Sequence, residues 1–314
     1  MHGSGGAVMS IISVLLSIAA AFLIAVFLEI YRELHHFCIT RYETSSQKLA
    51  GLHGEVRIVF LSDLHNRVYG KHNESLLKAV EEEQPDLILI GGDMLVGKKG
   101  APYDTALDFV KRLPSICPVC YAPGNHESRM KEDVQEYGCA YFKYKELLEE
   151  SGVTFLENAA ESVMIKGQEL LVCGLELPAE AYRKFRKSDI RGVDIQSCLP
   201  DMQNSGGSDT SARKQRTDCP FTVLLAHNPA YMDAYLEWGA DLILSGHLHG
   251  GLVRIPGIGG IVTPQGFLFP RYSGEMRKEK DQTVIVSRGL GTHTLNIRLF
   301  NMPELITVRI KKSL

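Results

Sequence analysis

Apolar positions along this chain fall into three regimes. The first is a single run. From Ala7 to Leu28 the residues "AVMSIISVLLSIAAAFLIAVFL" carry no charge and only three serines. As a helix this stretch is roughly 33 Å long, enough for a bilayer core of about 30 Å. A cleaved signal peptide is the first competing reading, but no Lys or Arg precedes the run and no convincing cleavage site follows it. A buried soluble helix is the second, yet such helices are rarely apolar on every face over this length. The pattern predicts a transmembrane anchor over residues 1–30, a juxtamembrane helix and connector over 31–54, and one folded domain over 55–314.

The second regime is an α/β rhythm. "EVRIVFLS" (55–62) is a near-continuous apolar run, as expected of a buried strand. "NESLLKAVEEEQP" (73–85) is amphipathic and stops at Pro85. "DLILIGG" (86–92) reads as strand, "YDTALDFVKRL" (103–113) as helix, "CPVCYAP" (117–123) as strand and 131–152 as mostly helix. "ESVMIKGQELLVCGL" (161–175) predicts a hairpin turning at Lys166–Gly167–Gln168. "FTVLLAH" (221–227) and "DLILSG" (241–246) are strands flanking the helix "PAYMDAYLEWG" (229–239), and short strands with glycine turns follow Gly251. Together these predict a layered α/β domain with mixed sheets.

The third regime is polar. "QNSGGSDTSARKQRT" (203–217) reads as a flexible surface loop. Residues 183–216 hold eight basic and four acidic residues, a local charge of +4. Such a run is usually a solvated face, and it also suits anionic lipid or a phosphorylated substrate. The whole chain has a formal net charge of −3, which argues against a nucleic-acid partner.

Flanking charge orients the anchor. No Lys or Arg precedes it, whereas Arg32, Arg41 and Lys48 follow, so the positive-inside rule puts the domain in the cytoplasm. Glu29, Glu33 and Glu43 dilute the charge but count little in that rule. Seven scattered cysteines look like free thiols, and "CPVC" (117–120) reads as core strand ahead of a redox or zinc motif. Ser13, Ser17 and Ala21 place small residues at helical spacing, a hint of homodimer pairing through the anchor.

Candidate chemistry sits where strands end. Asp63 and His65 follow the first strand, Asp93 the second, and Asn125, His126 and Glu127 the third. His227 ends a later strand, and "SGHLHGG" supplies His247 and His249. Singly, each is as easily a capping, turn or core residue as a site. Five in order, each at the end of an apolar strand, converge on one crevice in an open α/β sheet. Carboxylate, carboxamide and imidazole without thiolate suit Mn, Fe, Ni, Co or Zn, and Asp93 is placed to bridge two cations. The pattern predicts a dinuclear metal site.

The order D-x-H, GGD, GNHE, H, GHxHGG resembles the calcineurin-like metallophosphoesterase superfamily over residues 55 to about 311. The anchor, the length and "GLGTHTLNIRLFNMPEL" (289–305) look like its membrane-associated bacterial phosphodiesterases, similar to UDP-2,3-diacylglucosamine pyrophosphatases and Gram-positive relatives. The resemblance implies a four-layer αββα sandwich with mixed sheets behind the anchor. It assigns Asp63, His65, Asp93 and His249 to one metal, with Asp93 bridging and Asn125, His227 and His247 completing the second. His126 becomes the proton donor to the leaving group, with Asp93 and Asn125 also in the catalytic set. Glu127 is expected either to orient His126 or to form a structural salt bridge.

The implied activity is that of a phosphodiesterase or pyrophosphatase. Two divalent ions, manganese foremost, would serve in-line attack of a metal-bridging hydroxide on a lipid- or nucleotide-linked phosphoester. Arg67, Arg129 and the basic segment 183–191 are candidate phosphate contacts, and "GLVRIPGIGGIVTPQGFLFPRY" (251–272) is either acyl-facing or core. Departures narrow the class. Leu248 and Leu252 stand where relatives commonly have Thr and Gln, and "MLVGKK" after Asp93 lacks the Asp-Arg-Gly of Ser/Thr protein phosphatases. Val96 replaces the tyrosine of purple acid phosphatases. The alternatives are an extracytoplasmic phosphodiesterase acting on an envelope polymer of the teichoic-acid type, and a non-catalytic metal-binding scaffold.

Overall fold

The apolar N-terminal run forms helix α1 (Ser4–His35), whose side chains from Ile11 to Leu28 are almost all exposed, Phe22 and Phe27 each at 67%. A core helix of a soluble protein hides such side chains, so that reading fails. By length and composition α1 can cross a bilayer, as a signal sequence also would. The molecule is seen here as a computed structural model. It describes residues 4–183, 187–199, 220–251, 254–255, 259–261, 263, 266, 268–292 and 296–313, with the backbone alone for 4–10 and 193. The polar loop 203–217, Leu252 and part of the basic segment lie outside the described residues.

Two six-stranded mixed sheets follow. The first is built from β1 (Cys38–Ser46), β2 (Glu55–Leu61), β3 (Leu87–Ile90), β4 (Val119–Tyr121), β5 (Val153–Phe155) and the C-terminal β14 (Glu304–Lys312), in the order β1-β14-β2-β3-β4-β5. The second has β6 (Ala159–Ile165), β7 (Gln168–Leu175), β8 (Phe221–Ala226), β9 (Leu242–Ser245), β12 (Met276–Glu279) and β13 (Gln282–Val286), ordered β12-β13-β9-β8-β7-β6. A two-stranded ribbon, β10 (Arg254–Ile255) with β11 (Gly259–Gly260), lies between β9 and β12 in the chain.

Alternation explains the layering. Val56, Ile58 and Phe60 of β2 face the second sheet, meeting Val172, Val223, Leu225, Leu242 and Leu244. Val59 and Leu61 point the other way, onto α2 (Glu74–Glu82), α3 (Asp104–Val110) and α6 (Ala140–Glu150). Leu224, Ala226 and Ile243 pack outward against α7 (Gly192–Cys198) and α8 (Met232–Trp238). The result is the four-layer α/β/β/α sandwich. Because β2–β5 are mutually parallel, as are β7, β8, β9 and β13, their carboxyl ends share one seam between the sheets.

The hairpin at Lys166–Gly167 forms as expected, pairing β6 with β7. Residues 131–152 are mostly helix as expected, in pieces: α4 (Asn125–Glu132) stops at Asp133, whose side chain accepts from the Glu136 N–H, and α5 (Val134–Tyr137) ends at Gly138, where φ is 60°. One segment differs: 31–54 is more than a connector, since β1 pairs with β14 over its whole length, Cys38 opposite Glu304 through Ser46 opposite Lys312. "CITRYETSS" looks polar because an edge strand keeps one face in water. A chain beginning at Gly51 therefore leaves β14 as an open edge. Against a chain beginning at Phe37 it is expected to melt at least about 5 °C lower, the shift that a loss of ~2 kcal/mol gives in a domain of this size, and to self-associate. Thermal melting and size-exclusion chromatography of the two chains test this.

Candidate metal centre

The strand ends deliver all eight expected side chains to that seam. Asp63 and His65 follow β2, Asp93 follows β3, and Asn125 and His126 open α4 just after β4. From the facing sheet, His227 follows β8 directly and His247 and His249 follow β9. Three groups of donors result, each with its atoms within 4.8 Å of one another: Asp63–His65–His249, His65–Asp93–His126 and Asp93–His227–His247. Asp93 belongs to two of them. Its Oδ2 lies 3.2 Å from His227 Nε2, 3.7 Å from His65 Nε2 and 4.0 Å from His126 Nε2. Asp63 Oδ1 is 3.4 Å from His249 Nε2, and the Nε2 atoms of His65 and His249 stand 3.1 Å apart.

Cations fit here. Asp93 Oδ2, Asn125 Oδ1 and His227 Nε2 are buried and without a hydrogen-bond partner among the described residues. His227 spends its Nδ1–H on the Gly91 carbonyl at 2.6 Å, which aims the Nε2 lone pair at the Asp93 oxygen. In a dry seam these two atoms need a proton or a metal cation between them, and the seam can supply either.

The backbone is bent to make this arrangement. Asp63, His65, Asp93, His247 and His249 all have φ between 47° and 67°. Left-handed backbone costs a non-glycine residue on the order of 1–3 kcal/mol, and it clusters where function over-determines geometry. Local hydrogen bonds offset the cost. Asp63 accepts from the His247 N–H at 3.0 Å and from the Ser62 hydroxyl, and the His65 N–H reaches the Asp93 carbonyl at 3.0 Å. Gly246 has no alternative, because a Cβ there would lie 2.3 Å from Asp63 Oδ2.

Glu127 corrects one expectation. Its carboxylate serves the backbone of the Asp93 loop. It accepts from the backbone N–H groups of Asp93 (2.8 Å), Met94 (2.9 Å) and Gly124 (3.0 Å) and from the Tyr121 hydroxyl (2.7 Å). It therefore staples the loop that carries Asp93. His126 is oriented by two other contacts. Its backbone N–H donates to Asp93 Oδ1 at 2.8 Å, and its ring Nδ1 accepts from the Gly97 N–H at 2.8 Å. The neutral ring thus carries its proton on Nε2, facing the seam.

Four residues escaped the sequence reading. Arg298 is fully buried and donates to the carbonyls of Arg288 (2.7 Å), Gly289 (3.2 Å), Gly291 (3.1 Å) and Asn301 (3.1 Å), its Nη2 standing 3.5 Å from His249 Nδ1. Asn301 donates to the carbonyls of His249 and Gly251, both at 2.6 Å, and Glu33 of α1 accepts from the Asn301 N–H at 2.8 Å. The ring of Tyr182 meets His247 edge-on at 5.1 Å and lines a cavity of about 110 Å³ with Asn125 and Arg129. No pattern marks any of them, since a lone Arg or Glu inside an apolar stretch normally reads as surface. Of Arg67, another candidate phosphate contact, the hydrogen bonds among the described residues involve its backbone.

Charge coupling follows from the geometry. Burial raises Asp63, opposed by His227, whereas the surrounding imidazoles hold Asp93 well below the usual carboxylate range despite its burial. Burial alone would lower His227, but Asp93 and Asp63 outweigh it and push it up from 6.5 to about 10. Without metal, the stability from this imidazolium is fully present below pH 6.5 and is lost as pH rises through about 10. A cation must displace that proton. Apparent metal affinity should therefore rise about tenfold per pH unit between pH 7 and 9, with one proton released by His227 per chain, measurable by titration calorimetry in buffers of different ionisation enthalpy. Glu127→Gln, which turns acceptors toward N–H groups into donors, should cost about 1–3 kcal/mol in metal-free unfolding and weaken metal binding ~10–100-fold.

Comparison with known proteins agrees with this geometry. Residues 56–251 match the family described as calcineurin-like phosphoesterase. The metallophosphoesterase YkuE of Bacillus subtilis is 24% identical over 286 residues, covering 90% of this chain and 88% of that protein. The phosphodiesterase YaeI of Escherichia coli is 24% identical over 257 residues, covering 81% and 82%. A solved structure of phosphopantetheinyl hydrolase from Mycobacterium tuberculosis is 17% identical with a TM-score of 0.41, covering 75% of this chain and 90% of that one. With a family match across well over half its length and a donor-lined seam at its strand ends, the chain belongs to the calcineurin-like phosphoesterases and is a metal-dependent phosphoester hydrolase.

Proposed function

We propose that this chain is a membrane-anchored phosphodiesterase or pyrophosphatase with a dinuclear metal centre, acting on a lipid- or nucleotide-linked phosphoester. The observation that carries the dinuclear reading is the sharing of Asp93 between donor groups, with Asp63–His65–His249 on one side and His227–His247 on the other. In this reading Asp63, His65, Asp93 and His249 hold one ion, and Asp93, Asn125, His227 and His247 the second. Bound there, two divalent ions supply charge compensation for the phosphoryl group and activation of water near neutral pH. Manganese suits the oxygen and imidazole donors.

The remaining work falls to the chain. His126 presents its Nε2–H to the leaving oxygen, held in that tautomer by Gly97. Burial lowers the His126 pKa, so the ring acts chiefly as a neutral hydrogen-bond donor, which suffices for acidic leaving groups such as phosphate. Arg129 borders the cleft beside Asn125 and offers a guanidinium to phosphate oxygens. Glu33 lies five residues past Leu28, ~7.5 Å along the helix axis, and its bond to Asn301 keeps this face near lipid headgroups. That proximity supports a lipid-linked substrate, and Arg32, Arg41 and Lys48 support a cytoplasmic domain.

The test uses the full chain, stripped of metal in detergent micelles and returned to Mn²⁺. Binding of two ions per chain and turnover of bis-p-nitrophenyl phosphate and UDP-2,3-diacylglucosamine are expected, with Asp93→Asn abolishing both turnovers. Hydrolysis that survives Asp93→Asn, or saturation at one ion, sinks the dinuclear reading. His126→Ala, which removes the donor, should retain metal and lose about 10²–10³-fold in rate, more with an alkoxide than with a p-nitrophenolate leaving group. Equal losses for both would remove His126 from the leaving-group side.

A further inference from the structure

The last turns of α1 end on the segment before β14, where Asn301 in turn holds the loop that carries His249. Glu33 is 1% exposed although the helix before it is almost wholly exposed, and a buried carboxylate at a helix end needs a partner. Its partner is the backbone N–H of Asn301 at 2.8 Å. Asn301, itself fully buried, uses its amide nitrogen to donate to the carbonyls of His249 and Gly251, both at 2.6 Å. The fit is tight, since a Cβ on Gly250 would stand 2.3 Å from Asn301 Oδ1. Arg298 closes the arrangement by donating to the Asn301 carbonyl at 3.1 Å.

We infer that Glu33 is a positioning residue for the metal-ligand loop, acting through Asn301, so that the end of the anchor helix helps to set metal affinity. The inference rests on His249 being a ligand, as proposed above. Physically, Glu33 fixes the height of the Asn301 backbone, and the two Asn301 amide bonds then clamp the loop on both sides of Gly250. His249 adopts φ 50°, a conformation that relaxes unless its neighbours hold it. Loss of the clamp leaves every metal donor in place and loosens one of them. Contacts of this kind typically change metal affinity by about 10–100-fold.

The experiment titrates Mn²⁺ alone into the metal-free full chain in micelles by calorimetry, alongside melting with and without Mn²⁺. Glu33→Met keeps length and helix propensity but removes the acceptor, whereas Glu33→Gln retains an oxygen for the Asn301 N–H. Glu33→Met should raise the Mn²⁺ dissociation constant about tenfold or more and shrink the Mn²⁺-induced gain in melting temperature, with Glu33→Gln restoring most of both. Wild-type affinity in Glu33→Met overturns the inference, as does an equal loss in Met and Gln, which would mean general destabilisation. Should Glu33→Met fail to accumulate, Asn301→Ser carries the same test, because it keeps the N–H for Glu33 and cannot span both carbonyls. There too, wild-type affinity overturns the inference. His249→Ala separates the two readings: undiminished Mn²⁺ binding in that variant would remove His249 from the site itself, independently of Glu33.

Discussion

Two carboxylates, Asp63 and Asp93, are buried to 0% exposure at the seam between two β-sheets, and the structure is arranged around compensating them. A buried carboxylate without positive charge costs several kcal/mol. Here each faces imidazole nitrogens from the opposite sheet at 3.2–3.8 Å. Imidazoles can compensate by holding protons or by sharing a cation with the carboxylates, and the seam accommodates both. In the metal-free protein the proton on His227 is the stand-in, which is why its affinity for that proton is so high. Metal binding and proton release are thus one exchange at one position.

The rest of the fold delivers donors to that position at tolerable cost. Parallel strands end together, so a residue one to four positions past each end reaches the seam with little extra chain. The turns must be sharp, and five donors sit in left-handed backbone to achieve it. Glu127 explains how this is sustained on the β3 side: one carboxylate gathers three backbone N–H groups and a tyrosine hydroxyl. Its own burial and the nearby Asp93 raise its pKa to about 7, against the pull of those donors. Rigidity at the metal donors is bought by burying a third acid.

Much of this was legible in the sequence, and for a physical reason. Apolar runs ending in Asp, Asn or His are local signals, and strand polarity turns them into a shared location without knowledge of side-chain contacts. The near-continuous apolar run of β2 likewise announces a strand covered on both faces. What was not legible depends on long-range pairing. "CITRYETSS" carries too little apolar character to declare itself an edge strand, because its partner, β14, is some 260 residues away in the chain. Glu127 looked like the neighbour of His126 in sequence, yet the α4 turn sends its carboxylate back under Asp93. Arg298 and Asn301 serve backbone carbonyls, a task with no sequence signature.

Glu33 makes the sharpest case. In sequence it merely dilutes the positive charge that follows the apolar run, whereas in space it is one of several points at which the N-terminal segment grips the loops behind the donor-lined seam. A second is Phe37, whose ring meets Tyr69 edge-on at 4.9 Å, while the Tyr69 hydroxyl donates to the Leu290 carbonyl. A third is Thr40 of β1, whose hydroxyl donates to the buried Glu304, which also binds Arg288. Leu290, Arg288 and Asn301 all belong to the stretch that Arg298 holds by its carbonyls. A tether needs none of these contacts, since a flexible linker keeps a domain at a membrane equally well. Their presence ties the segment from Glu33 to β1 into the loops that hold the donor-lined seam, and the last turns of α1 belong to the folded domain as much as to the helix.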